Sequence, residues 1–600
     1  MKLLIGKKIF VLGVMLEIAV VFLFYYPSLK NLFVWDDEAY IYYLPFVRES
    51  TFWLKAVTEP FFISTNYYRP LPLLTFMLDY RLGGGQPWLF HLINLLFHIV
   101  NTVLVVFLTQ RVVVHYRPTA AQNLALLAGL FYGLHPVLVE PVAWISGRFD
   151  LMVTLFLLLA LLLDGLPSLW KRSIGVGLCF FLAALCKEMA VAFPLVLVFW
   201  HLALVDRSAQ GLGSLHDYWR ACQKSGHLWV YLALLVAGLA YLGLRYMALG
   251  YLLQPIAEMD QLGEPLQHLL LVAKALGMYL SLIIWPFTQL SPLHEQVFPI
   301  PLSDISAWIA LSVVTGWLVS WFWWVIRYPL SFWLGLACFV ALAPVIHLAP
   351  LSFQSTIVHE RFLTFPLALF TLLAASAIAQ SQPFLMRGFV PRWRLPGIGI
   401  VTLAALWFGL SLVNIRVTVP LWKTSFHLWS WAAQKEPGSD SAKSSLMEIY
   451  INNNQLGKAK EIFEQINNKN VYTWQKYATI QLLEGKYEDA INLYQDVLAN
   501  LPQKKEYDLA RAAILNGIGL AWLGLKDLDK SEIYFIDSIN TYPYISEAYV
   551  NIAEILMKKE KLDKSEQYLM LAKKYSYQDV ALQKKIDEVA NSLFQLKNKK

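Results

Sequence analysis

Long apolar runs fill the first 420 residues of this 600-residue chain and stop near Pro420. They lie near 9–26, 88–113, 122–141, 150–165, 173–187, 189–205, 228–249, 266–286, 305–326, 331–349, 361–380 and 397–416. A helix of about 20 apolar residues crosses the roughly 30 Å hydrocarbon core of a bilayer. The runs therefore predict an all-α, polytopic helical membrane domain over 1–420. Lys and Arg set the sidedness of the connections. Arg111 and Arg117 place 114–121 in the cytoplasm, and Lys171 and Arg172 place 166–172 there. Arg327 does the same for 327–330, and Arg387, Arg392 and Arg394 for 381–396. Five runs fall between Arg172 and Arg327 where parity needs an even number, so one of them, 266–286 or the short 173–187, is expected to be re-entrant or interfacial. The expected count is roughly 11–13 spans.

The basic start, Met1 to Lys8, leads into the first run with no small-x-small cleavage site, so it reads as an uncleaved span with a cytoplasmic N-terminus. Glu17 interrupts that run and must face protein, because a carboxylate in hydrocarbon is costly. The segment 27–87 is then the first external loop. Its prolines (Pro60, Pro70, Pro72), Gly83-Gly84-Gly85 and aromatic stretches predict short interfacial helices.

Past Pro420 the pattern becomes amphipathic and repetitive. Leu483-Glu-Gly-Lys-Tyr-Glu-Asp-Ala490 is echoed before Ser531 and Ser565, and more weakly before Ala459. The small residues at 459, 490, 531 and 565 are 31, 41 and 34 apart, and Pro502 and Pro543 close two of the units. Tetratricopeptide repeats run about 34 residues, with small residues where paired helices cross. Residues 437–600 therefore read as an α-solenoid of such repeats, extracytoplasmic by the parity above.

Composition sharpens the division. The chain is 57% hydrophobic with mean hydropathy +0.48, too apolar for a soluble protein. Residues 421–600 hold 24 Lys and Arg against 23 Asp and Glu, more than half of all the charges, with Arg511 the single arginine. Such balance argues against nucleic-acid binding. The four cysteines, Cys179, Cys186, Cys222 and Cys338, show neither metal-site nor disulfide spacing.

The chemistry-bearing residues collect at one side. Asp36, Asp37 and Glu38 follow the first run directly. Carboxylates hydrated but held at the bilayer face suit a general base or a metal ligand meeting a lipid-borne substrate; the plain alternative is a solvated loop. His91, Asn94, His98 and Asn101 make one polar stripe on a helix, which must face protein or a cavity. Interhelical hydrogen bonding accounts for Asn94, His98 and Asn101, whereas His91, nearer the outer edge, is a site candidate. The short external connection after 122–141 carries His135, Glu140, Arg148 and Asp150. Lys187 and Glu188 fall between two runs on the same side, and Glu360 and Arg361 start a span there. Salt bridges could absorb these charges. So many charged edges at one face point instead to a shared site.

The motifs Trp35-Asp36-Asp37, Tyr68-Arg69-Pro70-Leu, Phe90-His91-Leu-Ile-Asn94-Leu-Leu-Phe-His98, His135-Pro136, Glu140-Pro-Val-Ala-Trp144-Ile-Ser-Gly-Arg148-Phe-Asp150, Lys187-Glu188-Met and Glu360-Arg361 occur in this order. Together they resemble the membrane O-mannosyltransferase-like proteins with tetratricopeptide repeats, a branch of the GT-C glycosyltransferases. The resemblance runs over nearly the whole chain and is most specific from Tyr68 to Asp150. It implies transfer of a sugar from a polyprenyl-phosphate donor to a hydroxyl of a protein or glycan, outside the cytoplasmic (inner) membrane. It makes Asp36, or next Asp37, the base or metal-orienting acid. Arg69, Arg148, Lys187 or Arg361 would neutralise the leaving phosphate. Glu140 and Glu360 would orient those cations or bind sugar hydroxyls, and His91, His135, Asp150 and Glu188 complete the donor- and acceptor-binding set. Displacement with one base inverts the anomeric configuration. A divalent cation, Mg or Mn, would sit on Asp36 and Asp37 if one is used; the many basic residues argue against an obligatory one. The repeats are expected to hold an extended acceptor along their concave face. A transporter or flippase, or an assembly scaffold with a docking domain, is the alternative reading.

Overall fold

The computed structural model describes residues 2–37, 41, 47, 53–59, 67–114, 116–205, 225–252, 263–325, 329–348, 356–388, 395–576 and 580–598. Among them the architecture is all-helical. The chain divides into two units: Met1–Val34 and most of the chain to Thr424 form the first, and Ser425–Lys600 form the second together with Trp35–Asp37.

The first unit contains α1 (Lys2–Tyr25), α2 (Pro70–Gly83), α3 (Pro87–Val113), α4 (Ala121–Gly133), α5 (Val139–Ala143), α6 (Arg148–Leu163), α7 (Leu169–Ala184), α8 (Phe193–Val205), α9 (His227–Leu249), α10 (Pro265–Ile284), α11 (Ile305–Val325), α12 (Pro329–Leu342), α13 (Thr364–Gly388) and α14 (Leu395–Thr418). Each of the twelve apolar runs coincides with a helix or bent helix pair. Among the described residues eight helices are long and apolar enough to cross a membrane, nine if the pair flanking His135, bent by 50°, counts as one span. Two further apolar helices, Glu188–Leu204 and Leu330–Val345, are shorter. Together these reach the low end of the expected range, and the chain is a multi-pass membrane protein.

Local chemistry sets the ends. Pro70, Pro87 and Pro265 stand at helix starts, where a missing N–H costs nothing. Gly84 and Gly250 end α2 and α9 in the left-handed region, at φ 59° and 79°. The centre of the unit is α3, which packs on α1, α2, α4, α6 and α13. Its polar stripe faces protein, as the cost of burying polar groups in lipid requires. The Asn94 amide donates to the carbonyls of Trp144 and Ile145, His98 Nε2 lies 3.0 Å from the Gly133 carbonyl, and Asn101 donates to Leu151.

In the second unit, α15 (Ser425–Lys435) precedes four hairpins: α16 (Asp440–Asn452) with α17 (Leu456–Gln465), α18 (Val471–Leu483) with α19 (Tyr487–Asn500), α20 (Asp508–Gly524) with α21 (Leu528–Thr541), and α22 (Ser546–Lys558) with α23 (Leu562–Tyr575). A last helix, α24 (Val580–Asn598), packs on α22 and α23. The turns of the hairpins carry Asn454, Gly485, Lys526 and Glu560, all at positive φ. Each stands five residues before one of the small residues, and Ala459, Ala490, Ser531 and Ser565 are all fully buried. The Ser531 hydroxyl donates to the Gly519 carbonyl at 2.7 Å and Ser565 to Ala553 at 2.9 Å, tying each second helix to its first. The long 41-residue step is taken up by the extra turn Lys505–Tyr507 and by α20, which has 17 residues where α18 and α22 have 13.

Candidate functional site

The connection from α4 to α6 is folded inward. Every residue from Tyr132 to Thr154 is buried. The knot tightens where Gly147 lies on Pro141: a Cβ there would sit 2.5 Å from the Pro141 backbone. No side chain larger than hydrogen fits that approach, so glycine sets where α6 begins and where Arg148 points.

Arg148 is completely enclosed. Its fork donates to the Asn94 Oδ1 (2.7 Å), the Phe90 carbonyl (2.8 Å) and the Thr75 hydroxyl (3.1 Å), and it pairs with Asp79 while lying over Phe76. Burial pushes the Asp79 carboxyl above its ordinary range, and Arg148 opposes that rise without cancelling it. Two residues on, Asp150 accepts both contacts from Lys187 Nζ, at 2.6 and 2.7 Å. Burial brings the Lys187 ammonium down to about 8; Asp150 resists the shift, and Arg69 and Arg361 add to it.

Those two arginines complete a group. Arg69 donates Nε and Nη2 to Glu188 Oε2 at 3.0 and 2.8 Å, and Arg245 approaches the other Glu188 oxygen at 3.6 Å. The Arg361 backbone N–H and Nη1 donate to the two oxygens of Glu140, at 2.8 and 2.5 Å. The Phe362 ring lies under both Lys187 (4.5 Å) and Arg361 (5.1 Å), and Phe149 lies 5.4 Å from Arg69. Glu360 accepts from the Ser291 N–H (2.9 Å) and lies 3.0 Å from His294 Nε2. Beside Asp150 and Arg361 lies a narrow cleft of about 10 Å³, with Thr154, Phe193, Phe362 and Phe365 in its walls.

The candidates thus fall into four sets. Arg69, Lys187, Glu188, Asp150, Glu140 and Arg361 are linked pair to pair by ions and rings, with Glu360 adjoining. Arg148 is one turn-start away, its donors all engaged within α2 and α3. His135 and His91 are enclosed: His135 lies between the Ile283 carbonyl and the Val137 N–H, and His91 is 0% exposed rather than at an open edge. Asp36 and Asp37 belong to the second unit. There Trp35 holds φ 58°, a region bulky side chains rarely adopt, its ring 5.4 Å from Trp429. Asp37 is fully buried and Asp36 half-buried; Glu38 lies outside the described residues.

Sequence reasoning missed Asp79, Arg245 and His294. Asp79 stands ten residues after Arg69 and Arg245 inside an apolar run. A lone charge inside an apolar run needs a partner, and that signal was available for Arg245. His294 follows Leu290-Ser291-Pro292 in the least patterned stretch of the membrane half, where nothing marked it.

No family profile matches the chain. Among curated proteins it is similar to protein O-mannosyl-transferase Tmtc2 of Drosophila melanogaster, 34% identical over 192 residues, covering 29% of this chain and 20% of that one. The human TMTC1 enzyme is 35% identical over 148 residues, 23% of this chain and 16% of its own. Human TMTC4 is 29% identical over 300 residues, 42% of this chain and 38% of its own. Its curated homologues are protein O-mannosyl-transferases. The chain spans well under half the length of each of these relatives. A solved structure titled for the functional characterization of Pseudomonas aeruginosa pilF overlaps 28% of the chain at 20% identity, but its TM-score of 0.22 carries no argument.

Proposed function

We propose that this protein is a membrane glycosyltransferase that moves a sugar, mannose by analogy with its homologues, from a polyprenyl-phosphate donor to a hydroxyl of a protein, on the extracytoplasmic face. The observation that supports it is the gathering of Arg69, Lys187 and Arg361 around Phe149 and Phe362, with Arg361 and Phe362 lining a narrow, mostly apolar cleft. Such a site offers cations to a departing phosphate and rings and aliphatic surface to the chain behind it.

Transfer makes a prenyl phosphate anion where a phosphodiester stood. Arg361 meets it with a fork and Lys187 with a point charge. Their carboxylate partners, Glu140 and Asp150, hold both cations in place before the donor arrives, so little reorganisation is spent at the moment of reaction. Removing one such preorganised donor typically costs about 2.7–4 kcal/mol of transition-state stabilisation. Arg148 and His135, with their polar atoms engaged by protein, are positioning residues. The resemblance assigns the base to Asp36 or Asp37: the acceptor hydroxyl gives up its proton to the carboxylate as its oxygen bonds the anomeric carbon, and the carbon–phosphate-oxygen bond breaks on the opposite face. That single displacement inverts the anomeric centre. The repeats hold the acceptor polypeptide as an extended segment.

Purified chain in lipid nanodiscs, given radiolabelled mannose as polyprenyl phosphate or as nucleotide sugar, tests the donor class. Label passing to peptide from the polyprenyl donor alone supports the proposal. Use of the nucleotide sugar, or of neither, removes it.

A further inference from the structure

At the other end of α6 from Asp150, about 21 Å along the helix at about 1.5 Å per residue, a second polar cluster is enclosed by α6, α8 and α9. Asp164 caps α6, His201 lies in α8 and His227 starts α9. They are 4%, 1% and 8% exposed. Among the described residues they are the one trio of His, Cys, Asp or Glu whose ligand atoms all lie within 4.8 Å of one another. None of them takes part in the proposed transfer.

We infer that Asp164, His201 and His227 form a binding site for a borderline-soft divalent cation such as zinc. The donor set is two imidazoles and one carboxylate, which with a fourth, open position satisfies tetrahedral zinc. Two details support ligation over a simple tie. First, His201 Nδ1 is 2.7 Å from the Tyr231 hydroxyl while its Nε2 faces Asp164 Oδ1 at 3.0 Å. A histidine whose far nitrogen is held by an oxygen is the arrangement that orients a metal ligand. Second, His227 Nδ1 is buried without a hydrogen-bond partner. An orphaned imidazole nitrogen beside a His–Asp pair is costly as it stands and is satisfied by a cation. The rings of His201 and His227 stack at 3.7 Å and 3°. In-plane ligation by both needs the His227 ring to tip, a motion that breaks no hydrogen bond at Nδ1. Arg111, 4.0 Å from Asp164, disfavours a dication; the two imidazoles and the carboxylate must outweigh it, which limits affinity. Occupied, the site would pin the ends of three membrane helices together.

The test uses the full chain in detergent, stripped with chelator and then titrated with Zn²⁺ against a fluorescent competitor and with Co²⁺ by visible absorption. One equivalent of Zn²⁺ should bind, Co²⁺ should give the strong bands of a four-coordinate ion, and Zn²⁺ should raise the unfolding temperature. His227→Gln and Asp164→Asn should each weaken binding about tenfold or more and abolish the thermal shift, and Tyr231→Phe should weaken it by about tenfold. His227→Gln removes a ring with one face stacked and an unbonded nitrogen, so its metal-free unfolding temperature should match that of the parent. Absence of a saturable equivalent, or undiminished binding by His227→Gln, overturns the inference. Loss of the equivalent in an Asp36→Asn, Asp37→Asn variant with His227 intact would do so too, by placing the ion on the acidic pair.

Discussion

Replacing Lys187 by Met separates a structural salt bridge from a phosphate-binding cation. The side chain keeps its length and loses its charge, leaving Asp150, 2% exposed, without the ammonium at 2.6 Å. Breaking one partner of a buried pair costs about 3–5 kcal/mol, mostly for the carboxylate left behind. The pair itself is a poor stabiliser. A lysine brought from 10.5 to about 8 has lost more to desolvation, with Arg69 and Arg361 adding to the loss, than Asp150 returns, an imbalance of roughly 3 kcal/mol at 1.36 kcal/mol per unit. Lys187→Met should therefore unfold about 3 kcal/mol more easily in mixed-micelle denaturation. The double variant Lys187→Met, Asp150→Asn should recover to within about 1 kcal/mol of the parent. Transfer should stay depressed about 100-fold or more in both, in line with loss of one preorganised donor. The reasoning is refuted if the double variant regains activity together with stability, since Lys187 would then be only a tie. It is equally refuted if the double variant is as unstable as the single one.

Because Lys187 is held at about 8, transfer should decline as pH rises through that value, and Lys187→Arg should remove the alkaline limb if any activity survives. On the stability side the sign is the reverse: a depressed lysine contributes stability present above its unfolded value near 10.5 and lost as pH falls through about 8, so the parent should gain stability between those limits while Lys187→Met does not. Gly147→Ala should cost about 1–3 kcal/mol and reduce transfer, because its Cβ meets backbone at 2.5 Å and not a yielding side chain; equal melting of the two proteins would contradict the packing described. Deleting 437–600 should abolish transfer to polypeptide while leaving slow transfer to a small hydroxyl acceptor; unchanged polypeptide glycosylation would show that the repeats do not present the acceptor.

The helices were legible because one variable, the length of an apolar run, sets them: all twelve runs coincide with helices, even α12, whose 14 residues fall short of a full span. The repeats were legible because a helix crossing tolerates only Ala or Ser, so 459, 490, 531 and 565 keep the period even where the step stretches to 41. Pairing was not legible. Arg361 meets Glu140 across 221 positions and Arg69 meets Glu188 across 119, and no local pattern encodes such a choice among several acids and bases. The stretch from His135 to Asp150 reads as an external connection, because polar residues between apolar runs mark a loop; its complete burial depends on Gly147 closing on Pro141, a tertiary fact. Asp164, His201 and His227 each sit singly at the edge of a run and acquire meaning only when three helix ends meet.

The most direct measurement is transfer of mannose from polyprenyl-phosphate mannose to peptide by the parent chain and by the Asp36→Asn, Asp37→Asn variant, at matched expression and melting temperature. The account predicts product of inverted configuration from the parent and none above background from the variant. Retained configuration, or equal product from the two proteins, would contradict it.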